Sequence, residues 1–181
     1  DHRDLHSFPT RRSSDLITGA TSGIGAACAR KFAEGGYHLI LTGRNESKLA
    51  EIKKELENEA TKVITLAFDV RDAEAAKKAM ESLDSEWQSI DVLINNAGLA
   101  LGLEKEYEGD MNDWNIMIDT NIKGLLTMTR LVVPGMVKRN SGHVINIGSV
   151  AGDAAYANGN VYCATKDRKS TRLNSSHPSR S

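Results

Sequence analysis

TGATSGIG, residues 18 to 25, follows a short apolar run at 16–18 and opens into the helical stretch AACARKFAEGG. Glycines stand at positions 19, 23 and 25. Gly19 permits a tight turn, Gly23 lets the backbone approach a pyrophosphate, and Gly25 lets helix and strand pack closely. Thr21, Ser22 and Ile24 complete the loop and count with the glycines as its binding surface. A diphosphate held here would sit at a helix N-terminus, where unpaired N–H groups and the helix dipole favour anions. The spacing is G-x-x-x-G-x-G rather than the commoner G-x-G-x-x-G. A glycine-rich turn is a weak signal by itself; its place after a first strand in a βαβ unit strengthens it.

Outward from this loop, apolar runs alternate with helical patterns. Strand candidates fall at 16–18, 37–42, 63–68, 90–94 and 143–147. They are nearly continuous apolar segments, as parallel strands buried on both faces require. Leu49, Ile52 and Leu56 make one helical stripe, and Ala76, Met80 and Leu83 another. Asp72 and Asn112 are candidate N-caps. A long helical segment at 112–139 contains Pro134–Gly135, which predicts a kink or break there. Strand–helix repeats of this kind predict an α/β fold: a doubly wound parallel sheet with right-handed crossovers, the Rossmann arrangement, in a single domain.

Composition narrows the function. A chain of 181 residues, 40% apolar and 26% charged, predicts one soluble globular domain. No apolar run approaches the roughly 18 residues of a membrane span, and no apolar segment follows the N-terminal arginines as in a secretory signal. Cys28 and Cys163 cannot frame a disulfide scaffold, and no Cys/His spacing suggests a metal site. They are read as reduced thiols in a cytoplasmic protein. The basic surplus lies in residues 167–181, which leaves 17–166 mildly acidic and without the basic face of a nucleic-acid binder.

Both ends look foreign to the fold. LHSFPTRRSSDL and DRKSTRLNSSH are what the two opposing short-read sequencing adapters encode. Residues 1–16 and 167–181 are therefore expected to be adapter-derived. Residues 17–166 are then a partial Rossmann domain whose natural chain continues past Lys166.

The end of the second strand reads LTGRN. A site for NAD usually carries an acid here to bind the ribose 2′-hydroxyl. This chain carries Arg44, whose guanidinium suits a 2′-phosphate, so NADP is expected over NAD. A solvated surface arginine is the plainer alternative.

The motifs together resemble the short-chain dehydrogenase/reductase family. They are TGATSGIG, the pair Asp69–Val70, NNAG at 95–98, Asn121, Ser149 and Tyr162-x-x-x-Lys166, all in order along residues 17–166. The resemblance implies that Asp69 and Val70 lie beside the adenine and that Asn96, Ala97 and Gly98 lie near the cofactor. It implies a catalytic set of Asn121, Ser149, Tyr162 and Lys166. Tyr162 and Lys166 are i and i+4, on one helix face. An isolated tyrosine is a poor base at neutral pH, and a neighbouring ammonium stabilises its phenolate for proton transfer. Lys166 would also bond the nicotinamide ribose, Ser149 the substrate oxygen, and Asn121 a water that relays protons to solvent. The family implies a small-molecule hydroxy acid or carbonyl substrate, and a homo-oligomer (tetramer or dimer) for the full-length protein.

Longer runs, including EWQSIDVLINNAGLALG and PGMVKRNSGHVINIGSVAG, are similar to the NADP-dependent 3-hydroxy acid dehydrogenase branch. That implies oxidation of L-allo-threonine, serine or related 3-hydroxy acids. Two alternatives stay open: a ketoreductase for another substrate class, and a dinucleotide-binding fragment without turnover.

Overall fold

Five β-branched and aliphatic runs form one parallel sheet in the computed structural model, which describes residues 14–102 and 104–167. The strands are β1 (Ser14–Thr18), β2 (His38–Gly43), β3 (Val63–Ala67), β4 (Ile90–Asn95) and β5 (His143–Asn146). Their spatial order is β3-β2-β1-β4-β5, with β1 in the centre. Every neighbouring pair is parallel. The order reverses between β1 and β4, which defines the switch point of a doubly wound sheet.

Helices cover both faces, so the strands alternate their side chains between two cores. One contains Leu16, Ile40 and Leu93 with Ala76, Trp87, Met128, Val132 and Met136. The other contains Ile17, Leu39, Leu41 and Ile94 with Ala29, Leu49, Ile52 and Leu56. Residues from α3 (Ala73–Glu81) and α5 (Leu125–Arg139) supply the first, and those from α1 (Gly23–Glu34) and α2 (Glu46–Leu56) the second. The remaining helices are α4 (Met111–Ile118) and α6 (Asn160–Asp167). No helix among the described residues is long and apolar enough to cross a membrane.

The strand and helix patterns hold to within a residue or two, with three corrections. Asp72 caps α3, its carboxylate accepting from Ala75 N at 2.9 Å, but Asn112 does not cap α4. Asp110 takes that place, accepting from Asn112 N at 2.7 Å. Nor does Pro134 break the long helix. It lies on the exposed side of α5, where the carbonyl deprived of a donor can be hydrated. The interruption comes earlier, as a turn of π-helix at Asp119–Gly124, with Asn121 tied down inside it. Finally, β1 starts at Ser14 rather than at Leu16. The backbones of Ser14 and Asp15 pair in register with His38 and Leu39, and ladder bonds do not require apolar side chains. Residues 1–13 and 168–181, the greater part of the two adapter-like ends, lie outside the described residues.

Asp15 is fully buried in the central strand, on the same face as Ile17 and opposite Leu39 and Val92. Burying a carboxylate among aliphatic neighbours is costly even where it is hydrogen-bonded.

Candidate active site

All five strands deliver their carboxyl ends to one cavity of about 570 Å³. Gly19 and the loop after it come from β1, Gly43 and Arg44 from β2, Phe68 to Val70 from β3, Asn96 to Ala100 from β4, and Ile147 to Ser149 from β5. Tyr162 and Lys166 of α6 close one end. This is where an open α/β sheet binds ligands. Of the site residues expected from sequence, the cavity brings together Gly19, Thr21, Ser22, Gly23, Ile24, Arg44, Asp69, Val70, Asn96, Ala97, Gly98, Ser149, Tyr162 and Lys166. Gly25 and Asn121 stand behind its wall.

The loop after β1 is built to admit a backbone-bound anion. Gly19 has φ +65° and Gly23 φ +52°, conformations that disfavour a side chain. A Cβ at Gly25 would collide with Gly19 O and reach within 2.5 Å of Asn96 Nδ2, so only glycine lets α1 start so close to β4. At Gly23 a Cβ would meet nothing within 4 Å, because that glycine faces the opening. The N-termini of α2, α3 and α4 are each capped by a side chain, from Asn45, Asp72 and Asp110. Ser22 makes no such bond at α1. The first-turn N–H groups of α1 thus remain for a ligand, which fits a dinucleotide diphosphate.

At the far end Arg44 is exposed beside Asp69. Burial alone would push the Asp69 carboxyl up. The hydrogen bonds from the Arg71 side chain and backbone, with the charges of Arg71 and Arg44, outweigh it and hold the carboxyl below the usual carboxylate range. Arg71 Nε and Nη2 both donate to Asp69 Oδ2, at 2.9 and 2.6 Å.

At the near end, Lys166 is buried with its Nζ 5.5 Å from the Tyr162 ring centroid. One turn of helix produces that approach. Ser149 lines the cavity and at the same time starts a short 3₁₀ turn, its Oγ accepting from Ala151 N at 3.2 Å.

Asn121 lies beside the cavity rather than in its lining. It is fully buried, its Oδ1 accepts from Leu99 N at 2.9 Å, and its Nδ2 donates to Leu99 O at 2.8 Å and to Thr165 Oγ1 at 3.0 Å. Those bonds use both amide hydrogens of the side chain, so it locks three segments together. Thr165, which passes the link to Tyr162 O at 2.8 Å, was not legible as a site residue. Only its neighbours in YCATK carried a recognisable spacing. Thr120, Phe68 and Leu99 also line the cavity without any signal in the sequence.

Fold and cavity together define a Rossmann-type protein with a cavity at the switch point of its sheet. The family model described as short chain dehydrogenase matches residues 15–168, and the chain belongs to that family. It is 54% identical over 151 residues to the NADP-dependent 3-hydroxy acid dehydrogenase YdfG of Salmonella typhi, covering 83% of this chain and 60% of that one. It is 45% identical over 152 residues to sulfoacetaldehyde reductase 2 of Chromohalobacter salexigens, again covering 83% and 60%. Among solved structures it is similar to a closed form of serine dehydrogenase complexed with NADP+. There the TM-score is 0.80 and the identity 50%, over 86% of this chain and 61% of that one. The chain thus spans about 60% of the length of the curated relatives it matches.

Because the Asp69 carboxyl is held low, its interactions stabilise the fold above the ordinary carboxylate value. They are lost as pH falls through the lowered one. Arg71→Met should therefore cost more stability at about pH 7 than at about pH 3, because below the ordinary carboxylate value the contribution of the Asp69 charge is progressively lost. Urea unfolding of both proteins at the two pH values checks this; a cost independent of pH would contradict it.

Proposed function

We propose that the whole protein is an NADP-dependent oxidoreductase interconverting the carbinol of a small 3-hydroxy acid, such as L-allo-threonine or serine, with the corresponding carbonyl. The observation that carries this reading is the convergence of Ser149, Tyr162 and Lys166 at one end of a cavity that has Arg44 at the other. Similarity to the YdfG and serine dehydrogenase enzymes supports the substrate class.

Bound NADP supplies the hydride acceptor. The chain supplies position and proton transfer. Ser149 Oγ accepts from Ala151 N, which leaves its own hydrogen to donate to the substrate oxygen. Tyr162 takes the hydroxyl proton of the alcohol, or returns it to the carbonyl in the reverse direction. Lys166, buried and one turn away, stabilises the phenolate; its remaining N–H donors would be available to the ribose hydroxyls. Asn121 is a positioning residue. Its bond to Thr165 sets α6, and its two bonds to Leu99 set the loop beside the substrate. At the other end Arg44 would hold the 2′-phosphate, Asp69 and Val70 would lie beside the adenine, and Asn96 would lie close to the riboses, with Ala97 and Gly98 also at the cofactor. A reductase for another carbonyl class is the second reading, favoured by the likeness to sulfoacetaldehyde reductase 2.

A cytoplasmic location and a homo-oligomer belong to the same proposal. The free thiols Cys28 and Cys163 support the first. The exposed apolar Met111, Leu126 and Val137 along α4 and α5 support the second. Because the chain spans about 60% of the length of the curated relatives it matches, activity is tested on the whole protein expressed from its source gene.

Formation of reduced cofactor from L-allo-threonine, L-serine and 3-hydroxypropionate should require NADP and be slow with NAD. Tyr162→Phe should lower kcat by about a thousand-fold while leaving NADPH binding intact. Turnover of sulfoacetaldehyde but none of the hydroxy acids would move the assignment to the second reading.

A further inference from the structure

Carboxylates crowd the end of the cavity where the proposed 2′-phosphate would lie. Asp69 lines the cavity with Arg44 on one side. On its other side Asp69 and Arg71 line an open hollow with Asp72, Glu74 and Asp119. Lys123 answers Asp119 at 2.7 Å, and the Asp72 carboxylate is engaged in capping α3. Asp69 is answered by Arg71, whose Nε and Nη2 hold Oδ2 at 2.9 and 2.6 Å while its backbone N–H holds Oδ1 at 3.0 Å. The two side chains are 33% and 26% exposed, so their pairing is less screened than a fully solvated one. The Arg71 guanidinium also feels the charge of Asp119.

We infer that Arg71 is a specificity-determining residue for the phosphorylated cofactor, acting by neutralising Asp69 so that the positive charge of Arg44 remains for the 2′-phosphate. This inference rests on the NADP reading above. Without Arg71, the Asp69 carboxylate would draw Arg44 towards itself and repel a phosphate arriving beside it. Arg44 is already near enough for its charge to act on Asp69. The penalty falls on NADP, which carries the extra charge, and spares NAD, which presents a neutral hydroxyl at that position. Arg71 is therefore a positioning residue, acting on the cofactor through Asp69 and Arg44.

NADPH and NADH titrations of the 181-residue chain by fluorescence test the inference. Arg71→Met should weaken NADPH by roughly ten-fold and NADH by less than about two-fold, the difference shrinking as salt is raised. Arg71→Lys keeps the charge and should retain most of the preference. The double variant Asp69→Asn/Arg71→Met removes both charges and should recover the NADPH-to-NADH ratio, even where both cofactors bind more weakly. A purely structural role would weaken the two cofactors together. An unchanged ratio in Arg71→Met, or no recovery in the double variant, overturns the assignment of Arg71 and leaves the NADP reading standing. An unsubstituted chain that binds NADPH no better than NADH overturns that reading and this inference with it.

Discussion

The Thr18 hydroxyl ties the two central strands together at the point where the sheet changes direction. It accepts the backbone N–H groups of Asn96 and Ala97 at 3.0 Å each and donates to Ile94 O at 3.4 Å. One hydroxyl thereby uses its single donor and both acceptor positions. Asn96 answers with its own amide, which donates to Thr18 O and Gly19 O at 3.0 Å. At the end of parallel strands the backbone groups run out of ladder partners, and a buried orphan there would cost more than a typical hydrogen bond contributes. This clasp satisfies them and holds the glycine loop against the loop after β4. The cavity has its floor there, and the uncapped start of α1 is aimed across it.

The far and near ends of the cavity meet different electrostatic requirements. Near α6, a buried ammonium sits over an aromatic ring, so charge acts at short range in a poorly solvated place. Near β2 and β3 the charges are partly exposed and of both signs, and the net field depends on which pairs neutralise each other. The field that a phosphate would meet at the second place is therefore set by Arg44, Asp69 and Arg71 together rather than by Arg44 alone. Every strand contributes a residue to one end or the other, so a single sheet positions both.

The interruption of the long helix shows how tertiary contacts overrule a local signal. Proline at 134 lowers helix stability locally, yet α5 runs through it because the affected carbonyl is on the wet side. At Asp119–Gly124 no proline marks the sequence, yet the helix widens to a π-turn. Asn121 is held by Leu99 and Thr165, and a Cβ at Gly124 would press on Val70 Cγ2 at 2.7 Å. Both constraints come from residues distant in the chain.

Period and spacing made the strands, the helical stripes, the glycine loop and the Tyr162/Lys166 pair readable, because each depends on neighbours within one turn or one pleat. Leu49, Ile52 and Leu56 are buried as their spacing required, and Leu39 to Leu41 are buried as a continuous apolar run should be. By itself the sequence thus determined the fold class, the glycine loop and the identity of most residues lining the cavity. Only the tertiary structure decided that Asn121 is a structural lock, that Thr165 carries its link to α6, and that Arg71 folds back onto Asp69. Those outcomes depend on which buried polar groups find partners across the fold, and a linear sequence does not state that pairing.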